Sequence, residues 1–147
     1  MIRPALLTDL AAINTFDIFA GSRLLEIVDN HMLVAEIDGE VVGYAAWVPR
    51  GFVGHDYITY LGVAPSHQSR GIGSTLLVAV EAMIGSDRVL VSTQEDNHTM
   101  LAFLPVKGWV NAGAVAGAHK GDRTEVFFYK DRTSERVANT LNSHALP

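Results

Sequence analysis

"LGVAPSHQSRGIGSTLLVAVEAM", residues 61–83, decides the fold. It begins as an apolar strand end and passes through a loop with Gly71 and Gly73 behind Arg70. It then continues with Ile72, Leu76, Ala79, Val80 and Met83 at helical spacing, Ser74 and Glu81 on the other side, and only Val78 out of place. The spacing predicts a helix of about four turns starting at Gly71. Upstream, "DYITYLGV" is rich in β-branched and aromatic residues and reads as a strand; downstream of "GSD", "RVLVST" reads as another. Strand, helix and strand make one βαβ unit, whose two strands must lie parallel.

The loop sits where such a unit can hold an anion. The first N–H groups of a helix lack intrahelical partners and its dipole is positive there, while glycine removes the Cβ that would keep a ligand away. Arg70, Gly71, Ile72, Gly73 and Ser74 would present amides to phosphate, Gln68 would add a side-chain donor, and a pyrophosphate is the expected guest. A Walker loop is excluded because no Lys-Ser or Lys-Thr pair follows the glycines, and the dinucleotide fingerprint is excluded because its third glycine would fall on Leu76. Two glycines alone also suit a plain tight turn.

The flanking sequence supplies the remaining elements. Thr8 or Asp9 caps a helix expected near residues 9–20, carrying Leu10, Ile13, Ile18 and Phe19 and stopped by Gly21. "HMLVAEIDGEVVGYAAWV" reads as two strands joined by a tight Asp38-Gly39 turn, with Pro49 and the glycines of "PRGFVG" expected to break the second. Asn97 caps a helix over "HTMLAFL", which Pro105 bends or ends and Gly108 stops. "WVNAGAVAGAHKGDRTEVFFYK" closes with two strands around "KGDR". The organisation is one domain over residues 1–130 and a polar tail over 131–147, in which Val137 and Leu141 offer one weak helical stripe.

Composition narrows the function classes. A chain of 147 residues, 48% hydrophobic, is enough for one core. No apolar run nears the roughly 18 residues that cross a bilayer, and "MIRPALLTDL" lacks a signal peptide's basic and apolar segments, so a soluble, cytoplasmic protein without a membrane partner is expected. Without cysteine there is no disulfide, thiolate metal site or cysteine nucleophile. The histidines at 31, 67, 98, 119 and 144 show no ligand spacing, so no metal is expected. The net charge of −5 is unclustered, which argues against nucleic acid and slightly favours cationic partners.

Residues 61–83 resemble the acetyl-CoA-binding segment of the GNAT N-acetyltransferase superfamily, in which a strand ending L-x-V-x-P leads into Q/R-x-x-G-x-G/A and a helix. Leu61, Val63, Pro65, Gln68, Gly71 and Gly73 fit that pattern. "DNHTMLAFLPVKGW", residues 96–109, is similar to the family's N-x-x-A-x-x-F-Y-x-x-x-G-F segment through Asn97, Phe103, Gly108 and Trp109. The resemblance implies an α/β fold: a GNAT-like mixed, mostly antiparallel sheet with a central parallel βαβ unit and helices on both faces. It also implies acetyl-CoA as co-substrate. The strand over residues 57–63 would splay from its neighbour over 88–93 and take the pantetheine arm like an added strand. Leu61 and Val63 would pair with the pantetheine amides, a backbone N–H near Leu61 would polarise the thioester carbonyl, and the loop from Gln68 and Ser69 to Ser74 would hold the pyrophosphate. Gly62, with no Cβ, fits a close approach, and Asn97 would contact the cofactor besides capping its helix.

Acetyl transfer needs a neutral amine, a stabilised oxyanion and a protonated leaving thiolate, and in this family the amine usually attacks directly in a ternary complex. The position of the family's glutamate base holds Tyr57, and a phenol ordinarily near 10 is a poor base at neutral pH. His55 is the favoured substitute, with Asp56 and Tyr60 beside it. The family's tyrosine acid corresponds to Leu104, which leaves Tyr129, Tyr60 or water to protonate the thiolate. Trp47, Trp109, Phe127 and Phe128 read as core or as acceptor-pocket walls. The acceptor, a primary amine of a small molecule or protein, would meet the loop near Phe16 to Asp29, the "VPRGFVGHD" loop and the hairpin around His119 to Arg123. The alternative is a non-catalytic acyl-CoA-binding or regulatory domain. "EVFFYK" offers an apolar strand for a homodimer, an internal strand being the simpler expectation.

Overall fold

The computed structural model describes residues 1–132; the helical stripe expected at Val137 and Leu141 lies outside the described residues. Seven strands form one mixed sheet in the order β1-β2-β3-β4-β5-β7-β6. They are β1 (Ile2–Pro4), β2 (Met32–Ile37), β3 (Glu40–Phe52), β4 (His55–Val63), β5 (Arg88–Gln94), β6 (Val110–Val115) and β7 (Glu125–Asp131). The helices are α1 (Leu10–Asn14), α2 (Leu24–Val28), α3 (Ile72–Met83) and α4 (His98–Val106). The strand pairs β1/β2, β2/β3, β5/β7 and β6/β7 are antiparallel. The chain forms two compact units, Met1–Pro49 with Ile58–Ile84, and Arg50–Tyr57 with the chain from Gly85 onward. Among the described residues no helix is long and apolar enough to cross a membrane.

In the first unit the β2/β3 hairpin turns on Asp38 (φ 51°) and Gly39 (φ 80°), the left-handed pair that two-residue turns require, with Ile37 opposite Glu40. Its buried side chains, among them Met32, Val34, Tyr44 and Ala46, pack with Ile13 and Ile27 of α1 and α2. The helix expected over residues 9–20 is much shorter. It ends at Asn14, and Ile18 is exposed. Thr15 donates to the Ala12 carbonyl at 2.6 Å, while the Asp17 carboxylate accepts the Phe19 N–H at 3.1 Å and the Tyr44 hydroxyl at 2.6 Å. These side chains satisfy the backbone locally and end the helix before Gly21. Neither β1 nor α2 is foreshadowed by periodicity, each being five residues or shorter.

Helix α3 buries Leu76, Leu77, Val80 and Glu81 and packs on β2. Glu81 is therefore on the inner side of the helix, not on the outer side as its spacing suggested, and Met83 is 49% exposed. A Cβ on Gly43 would lie 3.1 Å from Leu76 Cδ1 and 3.2 Å from Ile72 Cγ2. The bare backbone there lets the first turns of α3 sit directly on β3, which fixes the helix start.

In the second unit β7 pairs with β5 on one side and β6 on the other, with Val91 opposite Phe128 and Val110 opposite Tyr129. "EVFFYK" is thus an internal strand, and the edge is β6. Leu90, Val91, Leu104, Trp109 and Phe128 are buried. Strand β7 runs to Asp131, and the buried Arg132 donates its N–H to the Asp87 carbonyl at 2.8 Å. The expected break at Pro49 does not occur, since β3 continues to Phe52. Arg50 takes a left-handed φ of 55°, and its N–H donates to the buried Asp56 carboxylate at 2.9 Å, so the irregularity is absorbed within the strand. The turn falls instead on Val53 and Gly54 (φ 51° and 80°), which makes "VPRGFVGHD" a hairpin, not a loop.

Candidate functional site

The loop between β4 and α3 is built from the backbone outward. Ala64 N–H donates to the Val42 carbonyl at 2.7 Å, ending the strand, and one 3₁₀ turn follows over Pro65–His67. The Gln68 side chain donates its Nε2–H to the Val63 carbonyl at 3.1 Å. This bond braces the loop. Ser69 (φ 63°) and Gly71 (φ 81°) both adopt left-handed backbone, which swings the chain into the helix. Helix α3 begins with no side-chain cap on Gly71, and its first backbone bond runs from Thr75 N–H to the Gly71 carbonyl at 3.0 Å. The helical amides of Ile72, Gly73 and Ser74 precede that bond and so have no intrahelical acceptor.

Space accompanies those amides. A Cβ on Gly71 would meet nothing within 4 Å. One on Gly73 would touch only Val63 Cγ2 at 3.8 Å and Leu61 Cδ2 at 4.0 Å. The Leu61 and Val63 side chains therefore lie beside the start of α3, where Gly71 has open space around it and Arg70 is exposed. Unpartnered amides, a positive dipole end and room for close approach are what a pyrophosphate needs.

Behind β4 the same unit carries a network with no signature in the sequence. Gly62 is explained by it, since a Cβ there would lie 2.8 Å from Tyr44 Cε1. The bare position leaves room for the Tyr44 ring on that side. Tyr44 donates to Asp17 at 2.6 Å, and burial, with that carboxylate bond adding, pushes its phenol above its ordinary range. Asp17 lies 3.3 Å from Arg23 Nε, the Arg23 guanidinium covers the Tyr60 ring at 3.7 Å, and Phe19 packs on Tyr60 at 5.1 Å between centroids. Arg23 also donates to the Ala20 carbonyl. Burial pulls Arg23 down, but Tyr60, Asp17 and Tyr44 together push it above its usual value. Tyr60 is therefore half-buried beneath a cation.

A family model described as the acetyltransferase (GNAT) family matches residues 7–107. The chain belongs to the GNAT acetyltransferase family. Solved structures match most of the chain. A GNAT-family acetyltransferase from Bacillus cereus is 21% identical with a TM-score of 0.79, covering 90% of this chain and 97% of its own. A ribosomal-protein-alanine N-acetyltransferase from Brucella melitensis is 24% identical with a TM-score of 0.71, covering 90% and 99%. A protein described as a streptothricin acetyltransferase from Bacillus anthracis was solved in complex with acetyl coenzyme A; it is 16% identical with a TM-score of 0.59, covering 69% of this chain and 61% of its own.

The second unit shows how this GNAT chain fills the positions at which it departs from its family. Leu104 is fully buried beside Trp109, so the position of the family's acid is part of the core here. Phe128 is likewise buried, as is Trp47 in the first unit, while Phe127 is half-buried and stacks on Phe52 at 4.9 Å. Asn97 Oδ1 accepts the Met100 N–H at 3.2 Å, a helix cap. His55 opens β4, six residues and about 20 Å of extended chain before Leu61. Its charge adds weakly to the Arg88 bond that holds Asp131 below the ordinary carboxylate range. Asp56 is occupied by the Arg50 N–H. Tyr129 lies on β7 with the Arg88 guanidinium 4.1 Å over its ring. Tyr57, at the position of the family's base, bonds Ser92 at 2.5 Å.

Proposed function

We propose that the protein is an acetyl-CoA-dependent N-acetyltransferase in which a primary amine attacks the thioester directly in a ternary complex. The observation that carries the reading is the uncapped start of α3 beside Leu61 and Val63, open at Gly71 and Gly73. Family membership and the acetyl coenzyme A complex of the Bacillus anthracis protein support it.

In this reading the amides of Arg70 to Ser74 hold the pyrophosphate, while Gln68 and Ser69 shape the loop through the Val63 brace and a left-handed turn. Leu61 and Val63 offer backbone groups to the pantetheine amides. A backbone N–H near Leu61 polarises the thioester carbonyl as the amine nitrogen forms its bond to carbon. The C–S bond then breaks, and the departing sulfur takes its proton from water, Tyr60 or Tyr129. No cysteine is present to carry the acetyl group, which suits direct transfer. The acceptors named for ribosomal-protein-alanine N-acetyltransferases make an N-terminal amine one candidate and a small-molecule amine another.

Incubation with acetyl-CoA and a panel of primary amines tests the reading. Amine-dependent release of CoA thiol is expected. Binding of acetyl-CoA without thiol release in any arm would favour the non-catalytic reading, for which the buried Leu104 is the specific observation.

A further inference from the structure

We infer that Asp17, Arg23 and Tyr44 are positioning residues for acetyl transfer: they clamp Tyr60 and Gly62 from one face of β4 and so fix the backbone amide near Leu61 that meets the thioester carbonyl. The inference rests on the acetyltransfer reading and lies wholly within the first unit. Its two contact points flank a single residue. The Arg23 guanidinium stands 3.7 Å over the Tyr60 ring, and Phe19 packs on the same ring at 5.1 Å. The Tyr44 ring lies so close to Gly62 that a Cβ there would fall 2.8 Å from its Cε1. Side chains alternate along a strand, so Tyr60 and Gly62 share a face. Leu61 points to the other, where its Cδ2 stands 4.0 Å from the Cβ position of Gly73 at the start of α3.

One carboxylate ties the clamp together. Asp17 Oδ1 accepts the Tyr44 hydroxyl at 2.6 Å and the Phe19 N–H at 3.1 Å, and its Oδ2 lies 3.3 Å from Arg23 Nε. The Asp17 and Arg23 side chains are 5% and 2% exposed, and Tyr44 is fully buried. Such a network is a poor way to stabilise a core. Taking an ion pair out of water costs about what the pair returns, and apolar side chains of like volume often stabilise as well or better. Among the described residues, Arg23 Nε and Nη1 have no hydrogen-bond acceptor, which adds to the cost. What the network supplies and aliphatic packing lacks is direction. A planar cation over one ring and a hydroxyl bond holding another fix both in orientation as well as in depth.

Direction matters at this place on the strand. A carbonyl that becomes an oxyanion is best stabilised by a donor already in position, and a misplacement of about 1 Å costs on the order of 100-fold in rate. Bonds to β3 pin β4 on either side of the clamp: Thr59 Oγ1 donates to the Ala46 carbonyl at 3.3 Å, and Ala64 N–H to the Val42 carbonyl at 2.7 Å. Arg23 and Tyr44 hold the residues between those two bonds. The clamp moves no proton and touches no reacting atom. Asp17, Arg23 and Tyr44 act through the β4 backbone, and the bonds that form and break in the transfer are the same with or without them.

The test is infrared difference spectroscopy of acetyl-CoA labelled with carbon-13 at the thioester carbonyl, bound to the native protein, to Tyr44→Phe and to the double variant Asp17→Asn/Arg23→Met. The double variant removes both charges together, so neither is left buried and unpaired. Tyr44→Phe keeps the ring against Gly62, cuts its tie to Asp17, and carries the comparison alone if the double variant fails to fold. A hydrogen bond to the carbonyl lowers its stretching frequency. The native complex should absorb below acetyl-CoA in solution, and both variants should move the band back toward the solution value. Their kcat for CoA thiol release, with the faster of spermidine and a peptide with N-terminal alanine, should fall about 10- to 100-fold, with acetyl-CoA affinity as in the native protein. The double variant should melt no lower than the native protein. A native shift that the variants keep, or a rate lost with the band unmoved, would overturn the clamp and leave acetyltransfer standing. A native band at the solution frequency would overturn the polarising amide and the clamp with it. Folded native protein that fails to bind acetyl-CoA would overturn the acetyltransfer reading and the clamp together.

Discussion

Replacing Gly73 by glutamate should raise stability and abolish cofactor binding together, because the two effects arise from different physics at one position. Gly73 is the second residue of α3, and its new Cβ would make only ordinary contacts with Val63 and Leu61. Removing glycine from a helix gains about 0.5 to 1 kcal/mol, and a carboxylate in the first turn complements the dipole. The same carboxylate would stand about 5 Å from two phosphate charges, a repulsion of about 2 kcal/mol at the dielectric of water and about 7 kcal/mol at the effective value for protein surface pairs. The lower figure already means about a 30-fold loss of affinity. Gly73→Ala separates charge from bulk and should keep most of the affinity with the same gain in stability. The assay is calorimetric titration of acetyl-CoA at two salt concentrations, with a thermal melt of each variant. The Glu variant should melt a few degrees higher and recover some affinity at high salt. A well-folded Gly73→Glu protein that binds acetyl-CoA as tightly as the native one would refute the phosphate cradle.

Gly62→Ala should destabilise the first unit by about 1 to 3 kcal/mol, since its Cβ would fall 2.8 Å from a Tyr44 ring held in place by the bond to Asp17; an unchanged denaturation midpoint would show that the ring yields. Arg3 bonds both oxygens of Asp9, at 2.8 and 2.9 Å, and this holds the Asp9 carboxyl below its usual range. A depressed carboxyl contributes stability that is present above its unfolded value, about 4, and is lost as pH falls through the lower folded value. Arg3→Gln should therefore lower the melting temperature at neutral pH and narrow its gap to the native protein in acid; a gap that is constant with pH would contradict this origin.

What could be read in the chain and what could not follow the range of the interactions. The βαβ segment was legible because the period of α3, the glycines at 71 and 73 and the alternation of β4 are all local. The Asp38-Gly39 turn and the Asn97 cap are local as well. Local signals misled where a distant partner intervened. The break at Pro49 is overridden by the Asp56 carboxylate holding Arg50, and the long first helix is cut short by Asp17, whose second oxygen contact comes from Tyr44, 27 residues away. Gly62 reads as a position of close approach, and the Tyr44 ring of β3 that lies against it is a partner no spacing could reveal. The contact of Ser92 with Tyr57 was invisible for the same reason. Ser92 lies 35 residues from Tyr57, and only the β4, β5 and β7 neighbourhood brings their hydroxyls together.

The most direct test of the central claim, that the start of α3 holds the pyrophosphate of acetyl-CoA, is a paired calorimetric titration of the native protein with acetyl-CoA and with S-acetyl-pantetheine, which carries the thioester arm and no pyrophosphate. The cradle predicts saturable binding of acetyl-CoA and binding of the truncated compound weaker by about 100-fold or more, the loss of two charge-assisted hydrogen bonds. Equal affinity for the two, or no binding of acetyl-CoA by folded protein, would contradict it.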